Sequence, residues 1–107
     1  MVIRRGEVYL VELDPTVGSE IRKTRPAVVI SPDEMNEGLH TVIVAPMTSR
    51  GKLYASRIPC QFQQRHGAIA LDQIRTIDVA RMKKKLGSLP DVTVTTALSV
   101  LVEMFTP

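Results

Sequence analysis

Three polar clusters interrupt an otherwise apolar chain: GSEIRKTR at 18–25, TSR at 48–50 and DQIRT at 72–76. Each falls at the end of an apolar run or in a connection, where a rigid scaffold presents side chains to a ligand. Arg25, Arg22 and Lys23 carry positive charge, Thr48 and Ser49 carry hydroxyl donors, and Glu20 and Asp72 carry carboxylates. Together these types meet the needs of cutting RNA without a metal. The reaction requires a base for the ribose 2′-OH, donors for the extra charge of a phosphorane-like transition state, and help for the departing 5′-oxygen.

Each residue also has a plainer reading. Arg25 and Glu20 in a polar loop are more often solvated or paired with one another, and Thr48 and Ser49 more often support a local turn. Asp72 follows an apolar run, and such a residue more often caps or anchors a turn than takes part in catalysis. His40 and His66, the only histidines, would make an acid–base pair if brought together, but nothing in the sequence does so.

The remaining composition narrows the class. With 107 residues, 44% of them hydrophobic and 23% charged, the chain reads as one globular domain over 1–107. It has no tryptophan, and its aromatic residues are Tyr9, Tyr54, Phe62 and Phe105 alone, which disfavours RNA modules built on exposed stacking rings. Cys60 is the single cysteine, so neither a disulfide framework nor a zinc spacing is present. A reducing, cytoplasmic setting and no metal or cofactor are expected. No run approaches the roughly 18 apolar residues of a membrane span, and no signal peptide or anchor is read.

The net charge of +3 is unevenly placed. Residues 1–49 hold five basic and seven acidic groups, 50–85 hold nine and two, and 86–107 hold none and two. The middle segment, at +7, suits a polyanion partner, although a solvated basic face accounts for charge equally well.

The elements that must position these groups are short. Runs rich in β-branched residues recur with turn formers between them, as in a small all-β core. Strands are expected at 7–13 (EVYLVEL), 26–31 (PAVVIS), 40–47 (HTVIVAPM), 54–62 (YASRIPCQF) and 68–77 (AIALDQIRTI). The polar loop PTVGSEIRKTR joins the first two, a turn around Gly51 joins the third and fourth, and a basic loop ending in Gly67 precedes the fifth. The segment PDEMNEG predicts a short helix with Ser31 as N-cap and Gly38 as its stop. The end of the chain reads two ways: VTVTT from Val92 alternates like a strand, whereas Val94, Leu98, Leu101 and Phe105 lie at helical spacing. The later apolar positions cannot alternate, which favours a C-terminal helix over about 91–105, with Asp91 placed to cap it.

The ordered set RRGEVYLVELDPTVGSE, RPAVVISP, VAPMTSR and ALDQIRTID resembles the MazF/PemK family of toxin endoribonucleases over roughly residues 4–105. The resemblance implies a mainly β fold with a C-terminal helix, a small, partly open barrel similar to the Src-homology-3 barrel. It implies a cytoplasmic homodimer, restrained by a cognate antitoxin, that cuts single-stranded RNA to a 2′,3′-cyclic phosphate and a 5′-OH. Arg25 and Thr48 match the family's essential arginine and threonine, Glu20 its loop acid, and Asp72 the carboxylate that serves as base in PemK-type members. Ser49, Arg50, Lys23, Gln73 and Arg75 are expected to bind the substrate. Two positions depart from the pattern: Ala70 stands where PemK-type enzymes have an arginine, and Thr24 where many members have histidine or another polar residue. The general acid and the choice of base are therefore left open.

Two other classes of function remain for comparison. Gyrase-poisoning toxins share the fold without cutting RNA, but resemble their own group through a C-terminal tryptophan, whereas this chain ends EMFTP. A plain RNA- or protein-binding barrel would explain the basic segment and leave GSE, Arg25 and Thr48 without a role.

Overall fold

The computed structural model describes residues 2–49 and 54–107. In chain order it has β1 (Glu7–Glu12), β2 (Thr24–Val29), α1 (Asp33–Gly38), β3 (Thr41–Thr48), β4 (Arg57–Phe62), β5 (Arg65–Ala70), β6 (Arg75–Asp78), β7 (Met82–Ser88) and α2 (Asp91–Met104). The strands form one antiparallel sheet in the order β4-β5-β3-β2-β1-β7, with β6 also paired to β3. The sheet curls until its outer strands meet. Gln63 Nε2 donates to the Leu86 carbonyl at 3.2 Å, and the Phe62 ring lies over Gly87. The expected mainly β, partly open barrel with a C-terminal helix is what the chain adopts.

The central strands read as continuous apolar runs because both of their faces are covered. Tyr9, Val11, Ala27, Val29, Val42 and Val44 face one core with Ile77 and Met82, while Val8, Val28, Ala45 and Met47 face a second with Ile58, Ile69 and Leu71. Fully burying such an aliphatic side chain contributes about 1.5–3 kcal/mol. The helix α2 lies over the second core through Val94, Ala97, Leu98 and Leu101, the i, i+3, i+4, i+7 positions of one helical face.

Several expected elements differ. The strand expected over 68–77 is two strands separated by a 3₁₀ turn at Leu71–Gln73. Both pair with β3, but between the Met47↔Ile69 and Val44↔Arg75 pairs three steps along β3 face six along the other chain. The extra residues are pushed out of the sheet, and they are Leu71, Asp72 and Gln73. The basic loop before Gly67 is instead a tight hairpin: Gln63 and Gln64 both have positive φ (51° and 64°), the type I′ conformation that matches strand twist. The strand expected from residue 54 begins at Arg57, and the turn around Gly51 lies outside the described residues.

Ser31 does not cap α1. Pro32 occupies that position, and the buried Ser31 hydroxyl donates to Asn36 Oδ1 at 2.5 Å while accepting from Ile43 N–H at 3.0 Å, tying α1 to β3. Likewise Pro90, not Asp91, takes the cap position of α2, and Asp91 becomes its first residue, where a carboxylate complements the helix dipole.

The strand β7 (MKKKLGS) was read only as part of a basic run. It is an edge strand on β1 whose lysines point outward, a common guard against edge-to-edge pairing. Two of them face acids on β1: Lys85 Nζ lies 2.6 Å from Glu7 Oε2, and Lys83 Nζ lies 3.5 Å from Glu12 Oε2. Burial alone would raise the Glu7 carboxyl pKa. Hydrogen bonds from Lys85 and from the Arg4 N–H outweigh it and leave the group below its ordinary value.

Candidate functional site

Register brings Arg25 and Thr48 to one place. The β2–β3 pairing ends at Ala27↔Pro46, and Arg25, two residues back along β2, and Thr48, two forward along β3, lie on the same side and line one cleft. On the other side of β3, Thr48 pairs with Ala68 of β5. Close approach there requires a glycine, because a Cβ at residue 67 would stand 2.8 Å from the Thr48 carbonyl oxygen. Beyond Pro26 the end of β2 separates from β3 and opens a cleft of about 600 Å³. Its rim holds Lys23, Thr24, Arg25, Thr48, Ser49, Gln63, Arg65 and His66, and Met47, Cys60 and Phe62 also line it.

Within this cleft Arg25 is half-buried. Its Nε donates to the Arg22 carbonyl at 2.9 Å, and its Nη atoms make no further hydrogen bond among the described residues. Lys23 sits at positive φ (71°), held through its backbone. Its N–H donates to Asp14 Oδ2 at 3.1 Å and its carbonyl accepts from Leu13 N–H at 2.9 Å. Burial pushes the Cys60 thiol pKa up. Among the described residues no carboxylate lines the cleft.

The other expected residues gather next door. A second cleft, about 660 Å³, is lined by Ser19, Glu20, Pro46, Asp72, Gln73 and Arg75, among others. The two adjoin through residues 20–25 and through Pro46 and Met47, neighbours on β3. In this second cleft the polar side chains are engaged with the protein itself. Asp72 accepts two hydrogen bonds from Arg57, Nε to Oδ1 at 2.6 Å and Nη2 to Oδ2 at 3.0 Å, and a third from Ser56 Oγ at 3.3 Å. The bonded Arg57 guanidinium holds the Asp72 carboxyl below its ordinary value against the opposing effect of burial.

Gln73 grips the β1–β2 loop on either side of Glu20. Its Oε1 accepts from Ile21 N–H at 2.6 Å and its Nε2 donates to the Ser19 carbonyl at 3.3 Å. Arg75 Nη1 donates to the Leu13 carbonyl at 3.0 Å, and Arg81 Nη1 donates to the carbonyls of Glu12 and Asp14. Glu20 itself is exposed, and its Oε1 accepts from Val17 N–H at 2.6 Å.

The fold therefore unites Arg25, Thr48, Ser49 and Lys23, and separately unites Glu20, Asp72, Gln73 and Arg75. Arg50 lies outside the described residues. Gln63, Arg65 and His66 were missed. The one local signal for them was the polar QQRHG stretch, which is equally the signature of a loop. Among the described residues no group of three or more His, Cys, Asp or Glu side chains is placed to hold a metal ion. No described helix is long and apolar enough to cross a membrane.

Solved structures share this architecture. MazF from Deinococcus radiodurans superposes with a TM-score of 0.86 at 24% identity, covering 97% of this chain and 96% of its own. A mycobacterial endoribonuclease solved in complex with its cognate antitoxin gives 0.82 at 18% identity, covering 98% and 97%. The Mycobacterium tuberculosis toxin MazF-mt6 gives 0.77 at 20% identity, covering 92% and 95%. At these identities the likeness establishes the fold. The family model for PemK-like, MazF-like toxins of type II toxin–antitoxin systems matches residues 4–105, nearly the whole chain. This protein belongs to that family.

Proposed function

We propose that the protein is a cytoplasmic, metal-independent endoribonuclease that cleaves single-stranded RNA by attack of the substrate's own 2′-OH. The observation that carries this reading is the cleft itself: Arg25, Lys23 and Arg65 beside the hydroxyls of Thr48 and Ser49, with no carboxylate among the lining residues to repel a phosphate. Arg25 and Thr48 stabilise the charge that develops on the phosphoryl oxygens. A guanidinium keeps its proton at neutral pH, so Arg25 acts as an electrostatic clamp rather than as a proton donor.

Of the two carboxylates, Glu20 is the base. Asp72 has both oxygens held by Arg57, and a carboxylate so bonded is a poor proton acceptor. Gln73 and Arg75 hold the loop that carries Glu20. Lys23, Ser49 and Arg50 bind the substrate backbone.

Membership of a toxin–antitoxin family supports a cognate antitoxin as partner, and a cationic cleft suits an acidic segment that competes with RNA. Self-association is supported by α2, on which exposed Val102 and Phe105 continue the half-buried face of Leu98 and Leu101.

The test is cleavage of a defined RNA oligonucleotide in excess EDTA. Cutting should persist, leave a 2′,3′-cyclic phosphate, and stop when the one nucleotide on the 5′ side of the scissile phosphate is 2′-deoxy. A deoxy-substituted strand still cut at the same bond would make water the nucleophile and require a different site.

A further inference from the structure

We infer that His66 is the catalytic acid that protonates the departing 5′-oxygen, an assignment that rests on the nuclease reading above. Among the described residues, the ionisable side chains lining the cleft are Lys23, Arg25, Cys60, Arg65 and His66. Ammonium and guanidinium groups are weak acids that keep their protons near neutrality, and the Cys60 thiol is half-buried and pushed further from ionisation. Histidine is the side chain most often used as the proton donor in such a step. Both carboxylates line the neighbouring cleft instead. The other histidine, His40, precedes β3 at the end opposite Thr48.

Position supports the elimination. His66 lies two residues from Ala68, so its side chain leaves β5 on the side that Thr48 shares through the Thr48↔Ala68 pair. Gly67 between them has no side chain, and its Cα packs against the Thr48 backbone. The tight turn at Gln63–Gln64 pins the hairpin, and Gln63 bonded to Leu86 anchors its tip. His66 is exposed, and neither ring nitrogen hydrogen-bonds to a described residue.

In this scheme the 2′-oxygen forms its bond to phosphorus as the bond from phosphorus to the 5′-oxygen breaks. The 2′-OH proton passes to Glu20, and an imidazolium N–H proton passes to the 5′-oxygen, giving the 5′-OH. Solvent then returns the proton from Glu20 to His66. The acid and the base come from adjoining clefts, so both are needed on one substrate lying across residues 20–25.

A leaving group that departs without a proton separates this role from every other. A bridging 5′-sulfur leaves as thiolate, whose proton affinity is far below that of an alkoxide. We expect His66→Gln to cut an ordinary oxygen-linked oligonucleotide at least about a hundredfold more slowly than wild type, the usual contribution of a general acid. On the same oligonucleotide with one 5′-bridging sulfur it should fall within roughly threefold of wild type, because the acid step is no longer required. Arg25→Ala should be impaired on both linkages, since charge on the non-bridging oxygens develops in either case. Equal losses for His66→Gln on oxygen and sulfur would overturn the assignment, as would full activity on oxygen. A wild-type protein inert on both linkages, at sites it is offered in varied sequence, would overturn the nuclease reading and this inference with it.

Discussion

The two clefts on either side of the β2 and β3 ends contain similar residue types, but they use them differently. In the Arg25–Thr48 cleft, among the described residues, Arg25 makes one hydrogen bond, to a carbonyl, and no Asp or Glu is among the lining residues. In the Glu20–Asp72 cleft the polar groups are bonded to the protein, Asp72 to Arg57, Gln73 to Ser19 and Ile21, and Arg75 to Leu13. A charged side chain without a partner is available to a ligand, whereas one satisfied at 2.6–3.0 Å stabilises a loop. In the proposed reading the first cleft takes the phosphate, and the second holds Glu20 at its edge.

The largest test of this contrast is truncation inside the first cleft. Arg25→Ala and Thr48→Ala should each lower turnover by roughly a hundred- to a thousandfold, about 2.7–4 kcal/mol of transition-state stabilisation, without unfolding the protein. Purified variants with native circular dichroism and a single-turnover assay decide it. Turnover of Arg25→Ala within threefold of wild type would remove that residue from the site.

The carboxylates should then separate. Glu20→Gln is expected to lose at least about a hundredfold in rate with little change in stability, whereas Asp72→Asn should lose less than about tenfold and melt earlier, since the charged partner of Arg57 is removed. The native pKa of Asp72 is depressed, so its pairing with Arg57 contributes stability above the unfolded carboxylate range, and that contribution is lost as pH falls through the native value. The gap in melting temperature between wild type and Asp72→Asn should accordingly close on acidification. A large rate loss in Asp72→Asn at unchanged stability would reverse the two roles.

A smaller effect is expected where β5 meets Thr48. Gly67→Ala places a methyl group 2.8 Å from the Thr48 carbonyl oxygen, a contact that only backbone movement relieves. Overpacking of this kind costs about 1–3 kcal/mol, and turnover should fall along with stability because the shift moves Thr48 on β3 relative to His66 on β5. Thermal melts together with kcat and KM measure this. An unchanged kcat would show that the spacing between β3 and β5 is not what positions these groups.

The smallest effect concerns the basic segment. Arg65 lines the phosphate cleft, but Lys83 and Lys85 face Glu12 and Glu7. Arg65→Gln should therefore reduce the log–log salt dependence of RNA binding by about 0.7, one single-strand phosphate contact, and Lys83→Gln should leave the slope unchanged. Equal changes would mean that the whole run from 50 to 85 contacts RNA.

Much of the fold was legible in the order of residues. The apolar runs at 7–13, 26–31 and 40–47 are rich enough in Val and Ile to read as strands, and the spacing of Val94, Leu98, Leu101 and Phe105 favours a helix over the strand that VTVTT alone would suggest. The strand β7 was hidden because MKKKLGS has almost no apolar face. It forms because β1 presents an unpaired edge and two acids, Glu7 and Glu12, that accept its lysines. Ser31 was misassigned because a cap and a buried crosslink require the same hydroxyl.

The same division runs through the site. By residue type and order alone, the chain determined that Arg25, Thr48, Glu20 and Asp72 are a chemically complementary set. Only the tertiary structure decided which of them share a cleft. Between Met47 and Val44 the β5–β6 chain uses three more residues than β3, and this expels Asp72 and Gln73 from the sheet toward Arg57 and the β1–β2 loop. The hairpin that faces Thr48 carries His66 instead. Residue types are local, but a strand register is a relation between distant segments, and a three-residue offset in it moves one side chain into a site and another out.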